Sequence, residues 1–274
     1  MYTSYGRRRP PAQAKELVIE ALKVGYRHID SAASYRNEAG AGEAIRVNGS
    51  VPRSDIHFTS KVRLITYEDC RMQIEKTLAE TGFDYINLML LHCPYGSSEG
   101  RKGAWKALVE AQEDGKVKSI GVSNYGIHHL EQLEQHIGEL EVERGGIGRG
   151  GKINVAQYEL HPWCARKDIV DWCRARNIAI EAYSPLVRGE RWGDRLLAEL
   201  ASKHGKSEAQ ILLRWSLQKG FIPLPKSVTP ARIRSNTEIF DFELSDADMS
   251  TLDLDEYAPV CWDPTVSPLE SSPQ

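Results

Sequence analysis

The chain has 274 residues, of which 41% are hydrophobic and 27% are charged, and its formal net charge is −3. These values are typical of a globular protein with one large domain or two small ones, and they argue against a general affinity for nucleic acid or anionic membranes. No apolar run is long enough to span a bilayer.

The cysteines and the N-terminus indicate the compartment. The five cysteines form no C-x-x-C pair, which argues against a zinc or redox site and favours reduced thiols. The segment Met1–Pro11 is polar and Arg-rich and has no apolar region typical of a secretory signal. We therefore expect a cytoplasmic protein without a bound metal.

Hydrophobic periodicity predicts that strands and helices alternate along the first half of the chain. The run Tyr85–His92 is almost wholly apolar, as expected for a strand buried on both faces of a parallel sheet. The predicted strands are Tyr2–Arg7, Tyr26–Asp30, Ile56–Val62 and Tyr85–His92. The predicted helices are Pro10–Val24, Glu38–Val47, Asp69–Thr81 (ended by Gly82) and Gly103–Asp114 (ended by Gly115).

The same alternation continues through the second half. The predicted strands are Val117–Val122, Ile153–Tyr158, Ile178–Tyr183 and Phe221–Leu224. The predicted helices are His128–Leu140, Arg166–Arg176, Asp194–His204, Glu208–Gln218, Pro230–Phe240 (capped by Thr229) and Ser245–Leu252. The Gly-rich segment Arg144–Gly151 lacks the spacing of the common phosphate motifs and is expected to be a flexible surface excursion. The tail Asp255–Gln274 is expected to be irregular coil.

Eight strand–helix units in a chain of this length predict a (β/α)8 TIM barrel of the α/β class. The alternative is a doubly wound sheet, which would need a Gly-x-Gly-x-x-Gly turn after its first strand, and the sequence has none there. Because no internal boundary is visible, we expect residues 1–274 to form a single domain.

Polar or aromatic side chains follow the apolar runs at the carboxyl ends of the predicted strands. In a barrel these ends converge on one mouth, where such side chains would meet a substrate. Each residue also has a structural interpretation: Lys61 as a surface lysine, His92 as a core histidine, Ser123-Asn124 as a helix cap. The residues are Asp30, Lys61, His92, Ser123, Asn124, Gln157, Tyr183 and Lys226.

Four residues, Asp30, Tyr35, Lys61 and His92, could act together in one reaction. A free tyrosine has a pKa of about 10, and a nearby lysine favours its ionised form. Asp30 can neutralise Lys61 in a partly dry pocket, Tyr35 can then donate a proton to a substrate oxygen, and His92 can orient that oxygen. This chemistry suits the reduction of a carbonyl with hydride from a nicotinamide cofactor.

A second group of residues follows the predicted eighth strand. Lys226 and Ser227 lie just past it, and Arg232 and Asn236 lie four residues apart on one helix face. Such a cluster predicts an anion site, since phosphate sites in barrels often occur after the last strands. The alternative is a capped helix with a solvated basic face.

These motifs, in this order, resemble those of the aldo-keto reductases over about residues 15–255. We also note differences: the N-terminal hairpin and part of the first strand are missing from the pattern, Cys93 replaces a pocket tryptophan, and Ser235 replaces a glutamate. The matching segments are Gly25–Ala32 with Tyr35 and Asn37-Glu38, Thr59–Val62, Leu90–Pro94, Gly121–Asn124, Gln157 with Glu159–Pro162, Tyr183–Leu186, and Pro225–Ser227 with Arg232 and Asn236.

The resemblance implies a (β/α)8 barrel that reduces aldehydes or ketones with NADPH. It implies a catalytic tetrad of Asp30, Tyr35 as the proton donor, Lys61 and His92. Ser123, Asn124 and Gln157 would hold the nicotinamide carboxamide, Tyr183 would stack on its ring, Lys226, Ser227 and Arg232 would bind the 2′-phosphate, and Asn236 would lie near the adenine. Further implied cofactor contacts are Ser184, Leu186 and Thr229.

The partner and the substrate are less closely specified by the resemblance. We expect a small-molecule carbonyl substrate, no nucleic acid, no membrane and a monomeric protein. An alternative is a cofactor-binding but catalytically silent regulatory or interaction protein of the same fold. The expected walls of the substrate pocket are Cys93, Tyr95, Trp192 and Trp262.

Overall fold

The structure is a computed structural model and describes residues 2–3, 11–63 and 66–270. Of the predicted strand Tyr2–Arg7, only Tyr2–Thr3 is described. The rest of that strand, Pro10 of the first predicted helix and residues 271–274 of the tail lie outside the described residues. The expectation that an N-terminal hairpin is missing falls on this same part of the chain and stays a prediction.

Eight parallel strands form one sheet, in which each strand pairs with its neighbour in the sequence. Since successive strands are adjacent and parallel, their carboxyl ends lie along one edge. This order confirms the predicted (β/α)8 barrel and excludes the doubly wound alternative, whose strand order reverses. The strands are β1 (Tyr2–Thr3), β2 (His28–Asp30), β3 (His57–Val62), β4 (Ile86–Leu91), β5 (Val117–Ser123), β6 (Val155–Glu159), β7 (Ala179–Tyr183) and β8 (Ile222–Leu224).

Helices follow the strands and cover the sheet. They are α1 (Pro11–Lys23), α2 (Glu38–Val47), α3 (Tyr67–Thr81), α4 (Ser98–Glu113), α5 (Ile127–Glu143), α6 (Lys167–Ala175), α7 (Arg195–His204), α8 (Glu208–Gln218), α9 (Pro230–Ser235) and α10 (Asp246–Thr251). Helix α1 packs against both α2 and α9, so the two ends of the helical layer meet. Buried side chains such as Val18, Ile45, Ile74, Trp105, Leu133 and Ile211 fill the space between the layers.

No helix in the described part of the chain combines the length and the apolar character that crossing a membrane requires.

Two predicted helix boundaries are wrong for identifiable reasons. Helix α4 begins at Ser98 instead of Gly103, because the Ser97 hydroxyl accepts a hydrogen bond from the Gly100 amide and caps the helix. Helix α9 ends at Ser235 instead of Phe240, where the Gln210 side chain donates to the Ser235 and Glu238 carbonyl oxygens. Thr229 occupies the N-cap position of α9 and Pro230 begins the helix, as predicted, although the Thr229 side chain makes no capping hydrogen bond.

The Gly-rich segment Arg144–Gly151 is exposed at its tip, where Ile147 is 97% exposed, but its end is docked on α4. The Trp105 indole donates to the Gly150 carbonyl oxygen at 2.9 Å. Gly151 has φ +80°, and a Cβ there would lie 2.5 Å from Val109 Cγ2, so the close approach requires glycine. The segment lies between α5 and β6, at the barrel end opposite the carboxyl ends of the strands.

Candidate active site

A buried ion pair joins the ends of β2 and β3. Lys61 Nζ lies 2.7 Å from each carboxylate oxygen of Asp30 and donates to the Ser31 carbonyl oxygen at 2.8 Å. Asp30 and Lys61 are each 1% exposed. All three hydrogens of the ammonium group therefore have acceptors, which is what a charge buried this deeply requires.

Tyr35 lies above this ion pair on a short 3₁₀ turn, Ala33–Tyr35. Lys61 Nζ is 5.2 Å from the centroid of the Tyr35 ring, within cation–π distance. The Tyr35 and His92 rings meet edge to face with their centroids 5.8 Å apart. Tyr35 is partly exposed, whereas Asp30 and Lys61 are buried, so the ring of Tyr35 is the part of this group that solvent reaches.

His92 is buried directly after β4. Its backbone amide donates to the Val62 carbonyl oxygen at 2.8 Å, and the Asn124 side chain donates to its carbonyl oxygen at 3.0 Å. Burial, together with the charges of Lys61 and Arg63, lowers the pKa of His92 to about 3. The ring is therefore neutral near pH 7 and carries one N–H donor.

The tautomer of His92 depends on Ser34, whose Oγ lies 3.5 Å from Nδ1. If the Ser34 hydroxyl donates to Nδ1, the ring hydrogen lies on Nε2.

Four further predicted residues form a hydrogen-bonded chain across β5, β6 and β7. The Ser123 hydroxyl donates to the Gln157 carbonyl oxygen at 2.9 Å, and Asn124 Nδ2 donates to Ser123 Oγ at 3.0 Å. The Tyr183 hydroxyl donates to Asn124 Oδ1 at 2.9 Å. The alternative interpretation of Ser123-Asn124 as a helix cap is wrong, because Gly126 occupies the N-cap of α5.

Glu181 is a buried carboxyl that sequence reasoning missed. Gln157 Nε2 lies 2.7 Å from Glu181 Oε2 and 3.0 Å from Asp30 Oδ2, so one amide group bridges two carboxyl groups. Burial, with a smaller effect from the charge of Asp30, raises the pKa of Glu181 to about 7. The available signal was a single acidic residue inside the apolar run Ile178–Tyr183.

A cavity of about 700 Å³ opens between the ends of β7 and β8 and helices α8 and α9, and we call it the β7–β8 cavity. Eight of the predicted cofactor residues line it: Tyr183, Ser184, Leu186, Lys226, Ser227, Thr229, Arg232 and Asn236. Arg188 and Glu208 also line it and were not predicted.

Trp192, which we expected in the substrate pocket, instead lines the β7–β8 cavity. The backbone explains this difference. Val187 and Arg188 adopt left-handed conformations, with φ of 50° and 54°, and turn the chain back after β7. The Trp192 indole then packs over Gly189, where a Cβ would lie 2.7 Å from Trp192 Nε1.

The other three expected pocket residues lie close to His92. The Trp262 indole donates to the Tyr95 hydroxyl at 2.6 Å, and the Trp262 and His92 ring centroids are 6.1 Å apart. Cys93 follows His92 and is buried, and burial raises the pKa of its thiol to about 11. The Cys93 thiol is thus neutral near pH 7 and a poor nucleophile.

Two buried side chains, Glu159 at the end of β6 and Arg166 directly before α6, hold the tail that carries Trp262. The Glu159 carboxylate accepts hydrogen bonds from the backbone amides of Val260 at 2.6 Å and Cys261 at 3.1 Å. Arg166 donates to Thr265 Oγ1 at 2.7 Å and lies 3.1 Å from Asp263. Through residue 270 the tail is irregular as predicted, apart from one 3₁₀ turn at Pro264–Val266, and these hydrogen bonds hold it against the barrel.

Across residues 11–63 and 66–270, no group of three His, Cys, Asp or Glu side chains is arranged to hold a metal ion.

Comparison with known proteins identifies the family. A family model for the aldo/keto reductase family matches residues 2–254. An uncharacterized oxidoreductase of Schizosaccharomyces pombe is 46% identical over 259 residues, which cover 92% of this chain and 88% of that protein. A glyoxal reductase of Bacillus subtilis is 41% identical, over 88% of this chain and 83% of that protein. The crystal structure of an aldo/keto reductase from Brucella melitensis has a TM-score of 0.83 and 38% identity, covering 92% of this chain and 91% of that one. The chain therefore belongs to the aldo/keto reductase family, oxidoreductases whose general chemistry is the reduction of carbonyl compounds.

Proposed function

We propose that the protein reduces an aldehyde or ketone to the alcohol with NADPH, and that Asp30, Tyr35, Lys61 and His92 carry out the proton chemistry. The observation that carries this proposal is the geometry around Tyr35. A buried, fully hydrogen-bonded ammonium group lies beneath its ring, and a neutral imidazole lies at its edge.

The proton transfer follows from these charges. Reduced nicotinamide, when bound, supplies a hydride to the carbonyl carbon. The Tyr35 hydroxyl gives its proton to the carbonyl oxygen, and a proton from solvent later restores it. The ammonium charge of Lys61 stabilises the phenolate that remains in between. Neutral His92 donates its remaining N–H to the same oxygen and orients it.

The hydrogen-bonded chain on β5, β6 and β7 is suited to a carboxamide. Both amide hydrogens of Gln157 are used by Asp30 and Glu181, which leaves its Oε1 as the atom available to a ligand. Both amide hydrogens of Asn124 are also used, by His92 and Ser123. The group therefore presents acceptor oxygens, which match the NH₂ end of a nicotinamide carboxamide.

The β7–β8 cavity supports NADPH rather than NADH. Arg188, Lys226 and Arg232 line it, against one acidic residue, Glu208. NADPH differs from NADH by a 2′-phosphate, and charge-assisted hydrogen bonds from lysine and arginine would favour that group. The serine and threonine hydroxyls at Ser227 and Thr229 add polar contacts along the same wall.

The substrate class we propose is a small aldehyde. The pocket wall near His92 combines a small residue, Cys93, with two aromatic residues, Tyr95 and Trp262. The Bacillus subtilis relative is named a glyoxal reductase, which is consistent with a compact carbonyl substrate.

The experiment is a turnover assay on purified, folded protein. We expect oxidation of NADPH on addition of glyoxal or a simple aromatic aldehyde, with the alcohol as the product. Protein that binds NADPH but reduces no aldehyde or ketone in a broad panel would contradict the proposal and favour the catalytically silent alternative.

A further inference from the structure

Glu181 is a buried ionisable group that takes no part in the proposed proton transfer. It lies in the middle of β7 and points into the barrel, where Gln157 of β6 joins it to Asp30 of β2. Its carboxyl group is nearly inaccessible to solvent. A carboxyl group inside a barrel is expensive to ionise unless a cation compensates it.

The groups around Glu181 do little to balance the negative charge that its carboxyl group would carry when ionised. From β2, Asp30 adds a negative charge, and His28 Nε2 lies 3.7 Å from Glu181 Oε1. Burial, with the charges of His57 and Lys61, lowers the pKa of His28 well below its usual value, so His28 is neutral. From β3, Lys61 is the cation that acts on Glu181, and it is already paired with Asp30. The neighbour in register on β8 is Ile222, which carries no charge.

We propose that Glu181 is a positioning residue for the reduction, whose protonation state sets the net charge behind the Asp30–Lys61 pair and thereby the readiness of Tyr35 to give up its proton. This inference rests on the proposed function, because it concerns the proton donor of that reaction. The shared Gln157 amide is the physical link between Glu181 and the pair.

The sign of the effect follows from the charges. With Glu181 neutral, the charges of Asp30 and Lys61 sum to zero, and the Lys61 ammonium group, 5.2 Å from the centroid of the Tyr35 ring, favours a phenolate there. With Glu181 ionised, the group carries one net negative charge, which opposes the phenolate. Reduction should therefore slow as Glu181 loses its proton. Since burial raises the pKa of Glu181 to about 7, this change falls near neutral pH.

The test compares wild type with Glu181→Gln, which keeps the size of the side chain and removes its ionisation. We expect kcat for aldehyde reduction at saturating NADPH to fall roughly threefold to tenfold in wild type between about pH 6 and about pH 8. Glu181→Gln should lose this fall and stay at the low-pH rate. A variant with the same pH profile as wild type would overturn the proposal, because a purely structural role predicts a uniform loss.

Thermal unfolding gives a second readout that does not depend on turnover. The raised pKa of Glu181 means that the folded state holds the proton longer than the unfolded state does, so stability falls as pH rises from about 4.5 through about 7. Glu181→Gln should therefore gain in Tm over wild type as the pH rises, and a constant difference would contradict the titration. If Glu181→Gln does not fold, Glu181→Met, also uncharged and of similar length, has the same expectation.

Glu159→Gln is the matched control. Glu159 is equally buried but, although burial opposes ionisation, hydrogen bonds from His161 and the Val260 amide lower its pKa. Its Tm difference from wild type should stay constant between about pH 6 and about pH 8. If the wild type is inactive while the Tm difference between Glu181→Gln and wild type depends on pH, the proposed function is overturned, and the inference with it. An active wild type with unchanged pH profiles overturns the Glu181 inference alone.

Discussion

Lys61 Nζ is equidistant from the two carboxylate oxygens of Asp30, at 2.7 Å, and both side chains are almost completely shielded from solvent. Removing either residue should lower the stability of the fold, because an unpaired charge would remain in a medium of low dielectric constant. The same pair supplies the charge on which the proposed acidity of Tyr35 depends. Stability and activity are therefore coupled at this position.

Replacing Asp30 with asparagine should destabilise the fold. We expect a loss of about 3–5 kcal/mol in the free energy of unfolding, since the Lys61 charge would stay buried without a counter-ion. Urea denaturation at neutral pH measures it. The control is Glu75→Gln, which removes the exposed partner of Lys116 and should cost at most about 1 kcal/mol. Equal losses in the two variants would show that the buried pair has no special energetic role.

Removing the two cations at the β7–β8 cavity should change cofactor preference. In a Lys226→Ala, Arg232→Ala variant we expect the Kd for NADPH to rise by about 100-fold and the Kd for NADH to change little, because only NADPH carries the 2′-phosphate. Fluorescence titration measures both constants.

The control for cofactor preference is Arg234→Ala, which removes the same charge from α9 at an exposed position that does not line the cavity. It should leave both affinities nearly unchanged. An equal loss for NADPH and NADH in the double variant would rule out the 2′-phosphate role.

His92 should make the fold sensitive to acid. Its pKa is lowered to about 3 by burial and by the charges of Lys61 and Arg63, so the unfolded state binds a proton first as pH falls below about 6.5. Stability should drop between about pH 6.5 and about pH 4, and His92→Gln should reduce that drop. Thermal unfolding of both proteins across this range measures the difference, and parallel curves would argue against a buried neutral histidine.

The anchoring of the tail should control substrate affinity and leave cofactor affinity intact. Arg166→Met removes the contacts with Thr265 and Asp263 that hold the segment carrying Trp262. We expect the aldehyde KM to rise roughly threefold to tenfold, because small displacements of a pocket wall are costly, while the Kd for NADPH stays constant.

The control for the tail is Arg176→Met, which breaks a pair with Glu134 on the surface and should leave KM unchanged. A proportional loss of NADPH binding in Arg166→Met would indicate general unfolding instead.

Polar residues directly after apolar runs were the part of the site that sequence could predict. Asp30 and Lys61 lie at the carboxyl ends of β2 and β3, His92 directly follows β4, and barrel topology alone brings strand ends together. Glu181 was not predicted because it lies in the middle of β7, away from the strand end, where the direction of its side chain depends on the register with β6 and β8.

Long-range contacts and backbone conformation were the part that sequence could not predict. Glu159 accepts hydrogen bonds from amides about a hundred residues away, and no local pattern reports such a contact. Trp192 lines the β7–β8 cavity and not the expected substrate pocket. The chain before it has positive φ at Val187 and Arg188, a conformation that the residue types do not reveal. The contact between Trp105 and the segment Arg144–Gly151 uses the Gly150 carbonyl oxygen, which no pattern of side chains reports.

The most direct measurement of the central claim is single-turnover reduction of an aldehyde by Tyr35→Phe, with NADPH affinity measured in the same preparation. The hydroxyl is the only group this change removes, and its ring contacts with Lys61 and His92 can persist. We predict that NADPH binds as in wild type and that the reduction rate falls by about 100-fold or more. A Tyr35→Phe protein that reduces the aldehyde at the wild-type rate would contradict the assignment of Tyr35 as the proton donor.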